Sequence, residues 1–266
     1  MKKLIIYLAV IAFCTTSCKK IITIDTENAE PQIVIEGKIN DVLMDQQIKI
    51  SKTVGYTDAS IFPKVSGAVV TVTDDKGGSF KFTETTPGVY TNRMRGVRGL
   101  IYNLNVATEG KTFVASSKMP NYVKFDSIGI VSNSFFGNER KITAAYLVDP
   151  ANEANYYRFT LNRNALHSNR IYVNNDRLTN GNKLRIQLYF NSEDDEDEDL
   201  QTGDNIAVEM ESIDPNVFDY WYALSQQSGR GPNQGTTPAN PTSNISNNAL
   251  GYFSANTYQK ITATVK

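Results

Sequence analysis

Cysteine, histidine and tryptophan are nearly absent from this chain: its 266 residues hold two Cys, one His and one Trp. Nucleophilic triads and most zinc sites draw on His or Cys, and His167, alone in the polar stretch "NALHSN", brings neither chemistry a second member. A basic excess is missing too. The 27 Lys and Arg meet 28 Asp and Glu, a formal charge of −1, which argues against nucleic acid as a partner. Long apolar runs are also lacking: Leu4–Phe13 spans ten residues, about half of the roughly 20 that cross a bilayer. No fixed-period repeat occurs. What is present is 14 Tyr and 12 Phe among abundant Thr, Val, Ile and Asn, a composition that favours β-structure. With 40% hydrophobic and 21% charged residues, the chain can build a proper core.

Both cysteines lie in "IAFCTTSCKK", residues 11–20. Before them, Met1-Lys2-Lys3 is a short positive segment and Leu4–Phe13 an apolar one, the lengths and flanks of an export signal. A redox pair or metal site here would have no scaffold to hold it. "TTSC" resembles a bacterial lipobox, in which cleavage precedes a cysteine whose thiol then carries diacylglycerol. Thr15 departs from the Leu usual at its position. Cys18 is the expected lipidation site, and Cys14, behind the bulky Phe13, leaves with the signal. Residues 1–17 thus read as signal peptide and 18–30 as a lipidated tether. Removing 17 of 266 residues leaves 249, and losing Lys2 and Lys3 takes the formal charge from −1 to −3. A chain without further cysteine suits an oxidising envelope compartment. Stable anchoring takes more than one acyl chain, so the protein is expected to be tethered to a membrane and not to span it.

Residues 31–120 read as strands separated by turns. "GAVVTVTD" sets Ala68, Val70 and Val72 on one face against Thr71 and Thr73, the period-2 signature of a half-buried strand. "DDKGG" turns into "SFKFTE", while "TPGVY" and "RGVRG" punctuate as turns. "LIYNLNVAT" places Tyr102, Leu104 and Val106 together. About seven short strands at 8–12-residue spacing predict an immunoglobulin-like β-sandwich. A second β-rich domain is expected over 121–266, with one helix near 215–227. There Asp214 is the N-cap, Pro215 the first helical residue, and Val217, Trp221 and Leu224 fall on one face. A Pro-, Gly- and Asn-rich loop, 230–248, follows; it is too long for an ordinary connection.

These blocks in this order, "AEPQIVIEGKI", "VSGAVVTVTD", "PGVY", "ASSKMP", "FDSI", "GDNIAVEMESIDPNVFDYW" and "PANPTSNISNNALGYFSA", resemble the Bacteroidota lipoprotein family of unknown function DUF4249. The resemblance runs from about Ala29 to Lys266 and carries no catalytic residue. Members are often encoded beside TonB-dependent outer-membrane transporters. It therefore implies a lipid-anchored accessory role at the outer membrane in nutrient uptake, with a transporter, or an oligosaccharide or peptide ligand, as partner. The resemblance also favours the cell surface over the periplasmic face. Against that, Lys19 and Lys20 stand where an acidic surface-export signal would follow the cysteine.

The residues themselves leave alternatives open. Phe218, Tyr220, Trp221 and Tyr222 are four aromatics in five positions and cannot all face inward. Trp221 is expected on the sheet, and Phe218, Tyr220 and Tyr222 are candidates for ligand or partner contact. Seven consecutive carboxylates, Glu193–Asp199, read as a solvated hairpin loop or as weak calcium ligation through Asp195, Asp197 and Asp199. An EF-hand loop starting at Asp195 would need Gly where Leu200 stands and Glu where Ile206 stands. Asp126-Ser127-Ile128 resembles an O-glycosylation sequon of Bacteroidota, at Ser127, or simply starts a turn. No cofactor is expected. A structural or adhesive envelope lipoprotein is the first rival to the uptake reading. A hydrolase working with two carboxylates is the second, though no pair stands out.

Overall fold

The computed structural model describes residues 30–55, 61–135, 138–192, 199–227 and 239–266. Among these, the first part of the chain forms β1 (Ile33–Asn40), β2 (Met44–Lys52), β3 (Val69–Asp74), β4 (Ser79–Thr86), β5 (Val89–Met94), β6 (Ile101–Thr108) and β7 (Lys111–Lys118). The rest forms β8 (Phe125–Phe135), β9 (Asn138–Val148), β10 (Tyr156–Arg163), β11 (Leu166–His167), β12 (Tyr172–Asn175), β13 (Lys183–Leu188) and β14 (Asn205–Ser212). The helix α1 (Pro215–Gln227) comes next, then β15 (Leu250–Asn256) and β16 (Gln259–Thr264). The chain is mainly β with one described helix, as its patterning implied.

The first sheet has eight strands in the order β15-β1-β2-β5-β4-β3-β6-β7. Alternation sets its inner face: Val70 and Val72 of β3 and Tyr102, Leu104 and Val106 of β6 are buried, with Ile35, Ile48 and Ile50 opposite. β4 links the two halves of this sheet, pairing with β3 through Ser79–Phe82 and with β5 through Thr83–Thr86. β5 had no alternating pattern to announce it. It forms because the turn at Gly88 (φ +73°) sends Tyr90 and Met94 into the core. There the Tyr90 hydroxyl donates to Val65 O and accepts from Ala68 N–H, both at 2.9 Å.

The chain enters its hydrophobic clusters discontinuously: Ile33 to Met119 and Ile245 to Ala255 share one, while most of another comes from Val123 to Met210. β15 returns from the far end of the sequence and pairs in parallel with β1, from Val34 with Leu250 to Asn40 with Asn256. Just before it, Ser246 N–H donates to Val114 O at 2.9 Å and Ile245 bridges to Ala115, so the same segment also lies along β7. Ala255 N–H then donates to Ser117 Oγ at 2.8 Å. Both edges of the sheet are thereby joined, and Ile245, Ala249, Phe253 and Ala255 complete its core. Gly251 is needed at this contact. Its φ is +90°, and a Cβ there would lie 2.1 Å from Ile35 O.

The remaining strands make two smaller sheets. One has the order β11-β10-β14-β16, with β12 also on β10; the other is β13-β9-β8. Their shared core holds Phe125, Leu147, Tyr157, Phe159, Leu184, Leu188, Val208 and Met210, among others. The two parts of the molecule meet at Lys38–Glu211, Asp41–Tyr258 and Ser117–Asp214.

Candidate functional site

α1 is placed by its first residues. The Asp214 side chain accepts from Asn216 N–H at 2.9 Å and Val217 N–H at 3.1 Å, with Pro215 at the first helical position. Its other oxygen takes the Ser117 hydroxyl of β7, tying the helix start to the first sheet. Burial raises the Asp214 carboxyl above its ordinary range, although the Ser117, Val217 and Asn216 hydrogen bonds pull the other way.

The helix then distributes its aromatics. Phe218 is only 7% exposed; it packs on Tyr156 at 5.1 Å, so it does not offer the contact surface expected of it. Tyr220 is half-buried and lies 5.1 Å from Tyr252, and Trp221 packs on the same ring at 5.1 Å. Tyr222 is the one of the four that is open, 50% exposed and stacked on Phe218 at 5.7 Å with 18° between the rings.

Tyr222 forms one wall of a groove of about 510 Å³ between α1 and strands β12 and β13. Gln226 stands on the same wall, with Asn174, Arg185 and Gln187 across from it, and no carboxylate lines the groove. The Tyr172 hydroxyl accepts from Tyr189 N–H at 2.6 Å and donates to Tyr189 O, which fixes the floor. The arrangement is a braced aromatic face surrounded by amide and guanidinium groups. It can stack on an apolar ring face and hydrogen-bond several hydroxyls or carbonyls at once.

Behind the helix lies a charge network that sequence reasoning missed. Glu211 of β14 is buried and paired with Lys38 of β1 and with Arg158 of β10, the latter at 2.8 Å. The Arg158 guanidinium lies 4.0 Å over the Trp221 ring. Burial by itself would raise the Glu211 carboxyl; the charges of Lys38 and Arg158 outweigh it and hold it at about 2. Glu211 and Glu209 alternate with Val208 and Met210, so the sequence set them away from the core. The only available signal was that a helix carrying Trp221 had to cover that face. The network clamps helix, sheet and β1 together, and so fixes the backing of the Tyr222 groove.

The other expected sites are dispersed. Cys18, Asp195 and Asp197 lie outside the described residues. The Asp199 carboxylate accepts from Arg140 Nε at 2.6 Å. Among the described residues, no group of three His, Cys, Asp or Glu is placed to hold a metal. Ser127 is exposed on β8 at a register shift, beside Asp126, which pairs with Lys124 at 3.0 Å. His167 is exposed on β11, its Nδ1 3.2 Å from Asn162 Oδ1. Of the loop 230–248, residues 239–248 are described, and Asn244–Ser246 close the first sheet. No described helix is long and apolar enough to cross a membrane.

A family model described as a domain of unknown function, DUF4249, matches residues 19–262. No curated protein matches the chain.

Proposed function

We propose, from the premise that this chain belongs to the DUF4249 family, a lipid-anchored accessory protein of the outer membrane. It binds a polar ligand of oligosaccharide type on the Tyr222 groove and works beside a TonB-dependent transporter in uptake. The observation that carries this reading is the groove itself, an aromatic face ringed by Asn174, Arg185, Gln187 and Gln226 with no carboxylate pair. A sugar presents an apolar C–H face and a rim of hydroxyls, which match a ring and amide donors. Stacking on Phe218 holds the Tyr222 ring before the ligand arrives, so little side-chain freedom is lost on binding. Tethering at Cys18 raises the local concentration of captured ligand at the membrane. The hydrolase alternative finds no support in this lining.

Calorimetric titration of a panel of oligosaccharides into wild type and Tyr222→Ala tests the reading. Truncating a stacking aromatic removes about 0.5–1.5 kcal/mol in addition to the contribution of its buried area. Binding is therefore expected to weaken about tenfold, while loss of the Phe218 stack lowers folding stability by only about 0.5–1.5 kcal/mol and leaves the protein folded. Equal affinity in the two proteins would remove the groove from the function.

The rival, an envelope lipoprotein that contacts another protein without a small ligand, is favoured by a different surface. Val42, Leu43, Met44, Val97 and Tyr122 are exposed around one end of the first sheet. Arg98 there ion-pairs with Asp41 and lies 4.3 Å over the Tyr122 ring. Mixed apolar, aromatic and Arg surfaces are typical of protein contacts. A stoichiometric partner recovered from detergent-solubilised outer membranes, in a protein that binds no sugar, would favour that rival.

A further inference from the structure

The opposite end of the eight-stranded sheet carries an apolar tip. Ile61 is 79% exposed and Phe62 49% exposed, with Pro63 and Pro87 also exposed at this end. The backbone that carries them is pinned. Lys52 N–H donates to Pro63 O at 2.9 Å, Val65 N–H donates to Ile50 O at 3.0 Å, and Ser51 bridges to Lys64. The side chains are thus held out by ladder hydrogen bonds at their base.

This is also the end at which the chain joins the sheet. Gln32 N–H donates to Thr53 Oγ1 at 2.9 Å and Thr53 N–H returns to Gln32 O at 3.0 Å. Glu30 stands twelve residues beyond Cys18, a distance of at most about 40 Å even when fully extended. An acylated Cys18 therefore holds this end within that reach of the bilayer. Charged groups of both signs, Glu30 among them, frame the tip. Lys52 pairs with Glu109 at 2.5 Å. The Glu84 carboxylate accepts Gly67 N–H and Gly88 N–H, each at 2.9 Å. Lys64 and Lys111 are exposed at the same end.

We propose that Ile61 and Phe62 form a membrane-contact tip that enters the headgroup and upper acyl region of the leaflet holding the anchor. The proposal rests on the lipid-anchoring reading of Cys18. The tip seats the molecule on the bilayer instead of leaving it to swing on its tether. Lys38, Asp41 and Ser117, which bind the second part of the protein, lie in the half of the sheet away from the tip.

The test uses natively lipidated full-length protein in vesicles of phosphatidylethanolamine and phosphatidylglycerol. Apart from Cys18 and the Cys14 of the leader, the chain has no cysteine. Phe62→Cys, or Leu43→Cys at the far end, therefore takes a single nitroxide, and Ile61→Cys serves as a second position in the tip. Flotation reads the anchor, and collision of the label with oxygen against a nickel chelate reads depth. The expected result is co-flotation, with labels at 61 and 62 favouring oxygen several-fold over the label at 43. Co-flotation with all three labels equally exposed to nickel would overturn the tip and leave the anchor standing. Tip labels immobilised and shielded from both reagents would mean that a second copy or another protein covers them, which also overturns it. Failure to float would end the anchoring reading and the tip together.

Discussion

Glu211→Gln isolates the charge network while keeping the side chain's shape. In the folded protein the Glu211 carboxyl sits at about 2 against an ordinary value of 4.5. Burial pushes it up, and Lys38 and Arg158 overcome that. A depression of this size is linked to about 3 kcal/mol of folding stability. Breaking a buried pair by removing one partner leads to a similar figure, roughly 3–5 kcal/mol. Lys38 is 38% exposed, so water screens its share, whereas Arg158 is only 16% exposed. The expected loss at pH 7 is therefore about 2–3 kcal/mol. The folded value lies below the unfolded one, so the contribution is fully present above 4.5 and is lost as pH falls through 2. The difference between wild type and variant should shrink to less than half by pH 3. Urea unfolding reads this directly, because the single tryptophan, Trp221, stacks on Arg158 and reports the network by fluorescence. Asp45→Asn is the control. Its partner Arg93 is 67% exposed at 3.6 Å, so the loss should not exceed about 0.5 kcal/mol. A Glu211→Gln loss as small as the control's, or one that persists unchanged at pH 3, would refute the reasoning.

Two further substitutions test the joints described above. Gly251→Ala places a Cβ 2.1 Å from Ile35 O at a φ of +90°. It should remove about 3 kcal/mol or more and lower Tm by roughly 6–12 °C. Gly77→Ala, at φ +92° but with open space around it, should lose only about 1–2 kcal/mol by the same measurement. Asp214→Ala strips the cap from α1 and the partner from Ser117, a loss of about 1–2 kcal/mol. Hydrogen exchange of Asn216 and Val217 amides should accelerate, while strands β3 and β6 keep their protection.

What the sequence revealed was local, and what it hid was distant. Val70, Val72, Tyr102, Leu104 and Val106 alternate strictly, and all of them are buried. Asp214-Pro215 announced the helix, which runs Pro215–Gln227, because capping depends on neighbours within one turn. β5 was hidden since Thr91, Asn92 and Arg93 break any alternation, and its place is set by Gly88 and by the core waiting for Tyr90. Phe218 and Tyr222 are four residues apart on one helix face, yet Tyr156 covers the first and leaves the second open. The groove unites residues 174, 185, 187, 222 and 226, and no spacing rule connects them. Lys38 and Glu211 are likewise 173 positions apart.

The pairing of β15 with β1 has a consequence for biogenesis. A growing chain emerges N-terminus first, and Val34 must wait for Leu250 before its outer edge is satisfied. Until then β1 presents a row of unpaired amides and carbonyls, and the hollow that Phe253 fills stands open. Any product truncated before residue 250 is left with an adhesive edge and a deficient interior, prone to aggregation and cleavage. The last segment to arrive acts as a proofreader of the first, and only a complete polypeptide acquires a quiet surface.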